Sequence, residues 1–492
     1  MTEPAATGLL LTVIGVLLAV AVLASPASRR FGVPSLVLFI GLGIAAGSEG
    51  IGGIPFEDYE LSFRLGSLAL ALILFDGGLN TSGVVFRRAA RVGTLLATLA
   101  VLVTAGVVTA LGWALGLPLP IALIVGAVVS STDAAAVFST LRASGVRLRQ
   151  STAATLEVES GLNDPMAMFL TIVATEAALG IEQPAGHLIS FFLVQMGVGI
   201  GVGIAVGHLG SLVLRAVKLP VAGLYPVLTV AIAFLSFGGA TLLQGSGFLS
   251  VYLTALWIAN GPLPYGSGVR RVHDALATLA QVVMFLMLGL LVFPSQLVPN
   301  AGLGFLIAFG AAFVARPAGV LLTLLPFSMP RRERVFTAWV GLRGAVPIVL
   351  ATYPTLRGVP SGDVVFHLVF FVVLVNAFVP GATVAWAAQR LGLASASQPS
   401  PMATVELVSS SDLAGDFVWY HVAAASAVAG ASLREIALPE SCLVILLLRG
   451  GELVAPRGGT TLEVGDHVCV FLTPESRTLI DLIFGGAAGA ES

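Results

Sequence analysis

Three short clusters hold most of the polar chemistry inside the long apolar runs of this 492-residue sequence. The first is Ser130-Ser131-Thr132-Asp133. The second is Glu157-Val158-Glu159-Ser160-Gly161-Leu162-Asn163-Asp164-Pro165. The third is Gly341-Leu342-Arg343-Gly344-Ala345-Val346-Pro347. Carboxylates and hydroxyls form an oxygen-rich set, and oxygen ligands suit hard cations. A carboxylate in such a set can hold a proton or a cation, and the two compete. At helical spacing Glu157, Ser160 and Asp164 share one stripe, and Glu159 and Asn163 share another. Asp164 and Glu159 point about 140° apart at 100° per residue, so different tasks are expected of them. Asp164 is assigned the exchangeable ligand, with Ser160 and a hydroxyl or freed carbonyl at Thr132 completing a site for an alkali cation. Glu157 lies seven residues away, about 10 Å along a helix. With Asp76 it is expected to form an acidic funnel toward Asp164. Arg316 and Arg343 are basic residues inside the apolar runs, and buried charge requires a partner. Glu159 is assigned as that partner.

The elements that position these residues follow from composition. Hydrophobic residues make up 57% of the chain and charged residues 10%, against about 25% charged in a soluble globular protein. So few charges cannot solubilise this length of chain, and a bilayer is the expected solvent. The net charge of −2 gives no sign of nucleic-acid binding. Thirteen apolar runs approach the roughly 20 residues that a spanning helix needs. They are 8–25, 34–50, 61–82, 92–116, 119–141, 152–179, 187–214, 222–239, 243–260, 275–293, 302–325, 335–356 and 364–388. Met1 to Thr7 carries no basic cluster, so the first run is expected to remain as a helix. Arg and Lys collect in alternate loops, among them Arg29 and Arg30, Arg87 to Arg91, Arg142 to Arg149, and Arg331 to Arg334. The opposite loops carry Glu49, Glu57, Asp58, Glu60 and Glu182. The positive-inside rule then places the N-terminus outside and the C-terminal tail in the cytoplasm.

Runs five and twelve are interrupted near their centres by the first and third clusters. Ser, Thr and Asp cap helices, and Gly and Pro at high density break them. Exposed backbone at membrane depth is tolerated only within protein or beside a wet cavity. Asp133 is expected at a positive half-helix N-terminus and Arg343 at a negative C-terminus. Seven runs separate the breaks, an odd number, so the broken helices run in opposite directions. This pattern belongs to inverted-repeat secondary transporters. Glu176 reads as an interfacial residue near the outer end of its run, Gln195, His208, Gln244, Gln281, His367 and Asn376 as bundle residues, and Gly201, Gly203 and Gly207 as close helix packing. No phosphate-binding loop, zinc spacing or nucleophile–base pattern is present, so no enzymatic activity is expected.

The quoted clusters resemble the bacterial NhaP-type members of the monovalent cation:proton antiporter-1 family, over about residues 8–390. The resemblance implies thirteen helices, a homodimer in the inner membrane, and alternating access by a mobile six-helix core. It implies Asp164 as the ion- and proton-carrying residue, with Asn163 beside it, Ser160 and Thr132 as ligands, Asp133 at the crossed helices, and Glu159 paired with Arg343. Asn163, where another branch has a second acid, resembles the electroneutral type.

After Arg390 the composition shifts. Residues 1–390 form the expected membrane domain, 391–401 an Ala/Ser/Pro-rich linker, and 402–486 a small α/β domain. Its apolar runs are Thr404–Ser409, Phe417–Ala423, Cys442–Leu448 and Val468–Leu472. Gly450-Gly451 reads as a hairpin turn and Thr473-Pro474-Glu475 as a helix start. Cys442 and Cys469 read as buried free thiols. The segment Leu433–Asp466 resembles the TrkA-C (RCK C-terminal) subdomain of potassium-conductance regulators. No Gly-x-Gly-x-x-Gly precedes it, so no NAD and no other cofactor is expected, beyond a small regulatory ligand. In this family such a tail goes with potassium/proton exchange, which favours K⁺ over Na⁺. A tail-gated cation channel and a purely sensory protein are the alternatives. The channel lacks a Thr-Val-Gly-Tyr-Gly filter sequence.

Overall fold

The structure is a computed structural model, and it describes residues 3–31, 35–181, 184–395, 416–423, 426–473 and 476–484. The chain divides into two compact units, Met1–Ser395 and Ala396–Ser492. Most of residues 391–401, the Thr404–Ser409 run, Glu182, Pro474 and Glu475 lie outside the described residues.

The first unit is helical. Its helices are α1 (Glu3–Phe31), α2 (Ser35–Ala46), α3 (Tyr59–Asn80), α4 (Gly83–Leu95), α5 (Val101–Ala114), α6 (Leu119–Val128), α7 (Ala134–Ala143), α8 (Gln150–Ala178), α9 (Ala185–Ala216) and α10 (Leu224–Leu242). They continue with α11 (Gly247–Ala259), α12 (Gly266–Leu290), α13 (Pro294–Gly310), α14 (Arg316–Thr323), α15 (Arg331–Trp339), α16 (Ala345–Leu356), α17 (Gly362–Asn376) and α18 (Ala382–Arg390). Among the described residues, eight continuous helical stretches are long and apolar enough to cross a membrane. Shorter apolar helices cover 35–46, 119–128, 247–259 and 345–356. Single π-helical turns at Leu96–Ala100, Ala311–Ala315 and Ala377–Gly381 join α4 to α5, α13 to α14 and α17 to α18.

Runs five and twelve are each broken. Val129 to Asp133 separate α6 from α7, and Val340 to Gly344 separate α15 from α16. The two π turns at 96–100 and 311–315 are also seven runs apart. Their helices touch, with Thr104 Oγ1 donating to the Ala315 carbonyl at 3.4 Å. Nothing in Leu-Ala-Thr-Leu-Ala or Ala-Ala-Phe-Val-Ala marks such a turn. α8 packs on α4 and α6, and α11 packs on α9 and α3. Gly199, Gly203 and Gly207 face α11 so closely that an added Cβ would come within 2.9 Å of Ser246, Ser250 or Trp257 atoms. They serve helix packing.

A two-stranded pair joins β1 (Arg147–Leu148) to β2 (Ala394–Ser395). The second unit carries a sheet of β3 (Asp416–His421), β4 (Leu443–Arg449), β5 (Glu452–Val454) and β6 (His467–Leu472), in the order β3-β6-β4-β5, all antiparallel. α19 (Arg477–Phe484) covers one face, burying Ile480 and Phe484 against Tyr420, Leu447, Val468 and Val470. Gly450 and Gly451 turn β4 into β5 with φ of 58° and 92°, the left-handed pair that a two-residue hairpin requires. Arg449 donates to both carboxylate oxygens of the buried Asp466, at 2.9 and 2.8 Å. Both cysteines are buried and free, and burial pushes the Cys469 thiol up to about 11.

His421 and His467 face each other across β3 and β6, with ring centroids 4.8 Å apart. Burial first, then the facing His421, lower the pKa of His467 below its usual 6.5. The unfolded strand therefore takes up protons before the folded one. The stability tied to His467 is present above about pH 6.5 and is lost as pH falls toward its lower folded value. Hydrogen exchange of β6 amides in the full chain is expected to quicken between about pH 7 and about pH 5, after correction for intrinsic rates. His467→Gln flattens that dependence. An unchanged profile in the variant contradicts the assignment.

Candidate functional site

The two breaks cross, and backbone joins them: Asp133 N–H donates to the Leu342 carbonyl at 2.7 Å. Asp133 caps α7, accepting from Ala136 N–H at 3.1 Å. Its other oxygen lies over Gly344, the residue that caps α16. One carboxylate thus faces the N-termini of two half-helices, where partial positive charge collects. An added Cβ at Gly344 would sit 1.7 Å from that oxygen. Gly344→Ala must displace the carboxylate or separate the breaks. It is expected to cost about 1–3 kcal/mol and to lower the melting temperature in detergent. Gly77→Ala, with open space at the same test position, is the control. Equal melting temperatures for the two variants contradict the crossing contact.

Opposite charge handles the opposite ends. Arg343, 1% exposed, donates through Nε to the Val129 carbonyl at 2.7 Å, at the C-terminus of α6. Its Nη1 donates to the Gly341 carbonyl at 3.3 Å and to Asn376 Oδ1 at 2.9 Å. Asn376 in turn donates to the Val372 carbonyl at 2.7 Å. The role of Asn376 as the side-chain partner of Arg343 is not visible in the sequence, where it reads as one more polar bundle residue.

Glu159 does not pair with Arg343, contrary to the resemblance. Its carboxylate is held by both terminal nitrogens of Arg316, one of them at 3.0 Å from Oε2. Arg316 also donates to the Thr337 carbonyl at 3.1 Å. The geometry explains the exchange of partners. Arg343 sits in the break itself and is drawn to the carbonyls of the opposite break. Arg316 follows the π turn 311–315 directly, on a continuous stretch of helix that faces the Glu159 stripe of α8.

α8 closes the site. Ser160 Oγ donates to the Thr132 carbonyl at 3.1 Å and accepts from Ala134 N–H at 3.0 Å. Asn163 donates to Thr132 Oγ1 at 2.7 Å and to the Thr132 carbonyl at 3.3 Å. Ser160, Asn163 and Thr132 are thus brought together, and the two α8 side chains satisfy the Thr132 carbonyl and the Ala134 N–H of the first break. Asp164 lies in the next turn of α8 and is 5% exposed. Among the described residues, its Oδ1 is buried without a hydrogen-bond partner, as are Asn163 Oδ1 and Ser131 Oγ. A buried carboxylate oxygen with no donor is costly. It is the atom that a proton or a cation would satisfy, and Ser160, one turn earlier on α8, and Thr132 bring hydroxyl and carbonyl oxygens that suit a hard cation.

Glu157 and Asp76 are half-buried on α8 and α3. Tyr252 of α11, 2% exposed, lies against Gly161, where an added Cβ would come within 2.6–2.9 Å of its ring carbons. Gly161 falls between Glu157 and Asp164 on their shared stripe. Apolar spacing alone gives no hint that Tyr252 reaches this position.

A bundle with two crossed, interrupted helices, around buried ionisable groups, defines a multi-pass membrane transporter. Residues 16–390 match the family described as sodium/hydrogen exchanger, transmembrane, and residues 417–484 match the TrkA-C domain. The chain belongs to the sodium/hydrogen exchanger family. It is 38% identical to the K(+)/H(+) antiporter NhaP of Alkalimonas amylolytica over 491 residues, 99% of this chain and 85% of that protein. It is 40% identical to the K(+)/H(+) antiporter NhaP2 of Shewanella baltica over 481 residues, 96% and 83% of the two chains. The fold matches the sodium proton antiporter MjNhaP1 of Methanocaldococcus jannaschii with a TM-score of 0.67. That match has 22% identity and covers 77% of this chain and 98% of the other.

Proposed function

We propose that this chain is an electroneutral antiporter that exchanges a monovalent cation, K⁺ by preference, for a proton. The observation that carries the reading is the unpartnered Asp164 oxygen beside the crossed breaks. A single carboxylate that binds either H⁺ or a cation moves one charge each way, which makes the cycle electroneutral. Ser160 and Thr132 are proposed to supply further oxygen ligands, and Asn163 to keep the break in register. Asp133, Arg343, Glu159 and Arg316 hold the scaffold. Glu157 and Asp76 collect cations on the cytoplasmic side. Thirteen membrane spans in two inverted halves, an N-terminus outside, a cytoplasmic tail, a homodimer and an inner-membrane location complete the reading. No resident cofactor is proposed, and the tail binds at most a small regulatory ligand.

Potassium is favoured because the relatives that match nearly the whole chain are named K(+)/H(+) antiporters. Sodium is the second reading, supported by the probable Na(+)/H(+) antiporter 2 of Methanocaldococcus jannaschii, 29% identical over 340 residues. The deciding experiment is a proton-gradient dequenching assay on reconstituted protein, with K⁺, Na⁺, Li⁺ and Rb⁺ added in turn. Cation-driven proton movement without unitary current is expected. Unitary currents would support a channel, and no flux with any cation would defeat both.

A further inference from the structure

The loop between α7 and α8 is six residues long, 144–149, and it is tied by backbone to the residues that follow the last helix. Arg147 lies opposite Ser395 and Leu148 opposite Ala394 in an antiparallel pair. Arg149 N–H donates to the Leu393 carbonyl at 3.0 Å. The two segments leave their helices in the same way. Gly145 (φ 67°) and Gly392 (φ 68°) take the left-handed conformation. Val146 N–H then closes back on the Leu141 carbonyl, and Leu393 N–H on the Ala388 carbonyl, both at 2.9 Å. These are matched Schellman ends, each followed by an apolar residue. Val146 is 6% exposed and Leu393 is 1% exposed, so both ends are anchored.

The consequence is mechanical. At its other end α7 is held by the site, through Asp133 at its cap and the Ala134–Ser160 bond. Its ten residues span about 15 Å. Helix α8 begins at Gln150, directly after the paired loop, and carries Ser160 and Asp164. Ser395 is the last residue of the first compact unit, and the chain passes from it into the second. A displacement at residue 395 is therefore passed directly to the loop shared by both site helices. Backbone hydrogen bonds transmit it, and no long side chain absorbs it.

We infer that the β1–β2 pair is a strap through which the C-terminal domain acts on the ion site, by moving α7 and α8 together. This rests on the antiport reading above. A cation affinity that depends on the tail is then a coupling between two places in one chain, carried by a named element.

The test uses full-length protein in proteoliposomes and reads the apparent cation KM and maximal rate across pH. One variant inserts a flexible Gly/Ser stretch between Ser395 and Ala396, which leaves every contact described here intact. A second, Ser395→Pro, removes a backbone donor. The alternation of an antiparallel ladder puts residue 395 opposite 147 in a hydrogen-bonded position, two steps from the 149–393 bond. A third joins the non-hydrogen-bonded positions as Leu148→Cys with Ala394→Cys, whose spacing suits a disulfide. Under the proposal the insertion and Ser395→Pro shift the apparent KM in the same direction, by about fivefold or more. The oxidised cysteine pair keeps the behaviour of the unmodified protein. An insertion without effect overturns the strap. So does a shift by the insertion that Ser395→Pro fails to reproduce, because the tail then acts by another route. Absence of exchange in the unmodified protein overturns the antiport reading itself, and the strap with it.

Discussion

Asp164→Asn is expected to abolish cation-driven proton movement while the protein stays folded. Asparagine has the shape of aspartate but cannot take up a proton or balance a cation. The carboxylate Oδ1 has no donor among the described residues, so no ion pair or hydrogen bond of that atom is lost there. The melting temperature in detergent should move by no more than about 2 °C. Proteoliposome flux and the melting curve, measured on the same preparation, check the two halves together. Normal exchange by the variant would remove Asp164 from the site. A large fall in melting temperature would make it a structural group.

The second large effect concerns the buried ion pair. Glu159→Gln leaves the Arg316 guanidinium, 3% exposed, without its counter-charge. Breaking one side of a buried pair costs about 3–5 kcal/mol, so the variant should melt well below the unmodified protein. A second change separates the two arginines. Adding Arg316→Gln removes the orphaned charge and should recover part of the loss. Adding Arg343→Gln should deepen it, because Arg343 serves the Val129 carbonyl and Asn376 instead. Rescue by the Arg343 change and none by the Arg316 change would reverse the partners assigned here. The pair contributes to uniqueness as well as stability. α8 contributes Glu159 and α14 contributes Arg316, and one relative position of the two helices satisfies both.

These two predictions differ in how far they were visible in the chain. Asp164 could be picked out because an acid inside an apolar run is costly and the residues around it are oxygen-rich. The same reasoning pairs Ser160 with Thr132, which a hydrogen bond joins in the structure. It did not assign the arginines. Arg316 and Arg343 both lie at membrane depth, and depth alone cannot say which one meets Glu159. That depends on a π turn at 311–315, which rotates the helix that follows it, and the turn leaves no mark in an Ala-rich segment. Asn376 and Tyr252 were hidden for a related reason. A polar residue on a helix acquires its task from whatever packs against that face, and packing between distant helices has no local signature.

A membrane bundle, the places where its helices break, the residues that carry charge into the apolar interior and the small α/β unit that follows are all legible in the order of residues. Each of these is a local or one-dimensional property: hydropathy over a span's length, Gly, Pro and cap residues at a break, the left-handed turn at Gly450-Gly451. The tertiary structure alone decided who meets whom. It set Asp133 over Gly344, Arg343 on Val129 and Asn376, Glu159 on Arg316, Tyr252 on Gly161, and the 147–148 strand on 394–395. The physical reason is that these contacts join residues as many as 248 positions apart, as in the antiparallel pair of Arg147 and Ser395. At that separation, partner choice rests on helix rotation and on backbone carbonyls left free by the breaks, neither of which any short stretch of residues encodes.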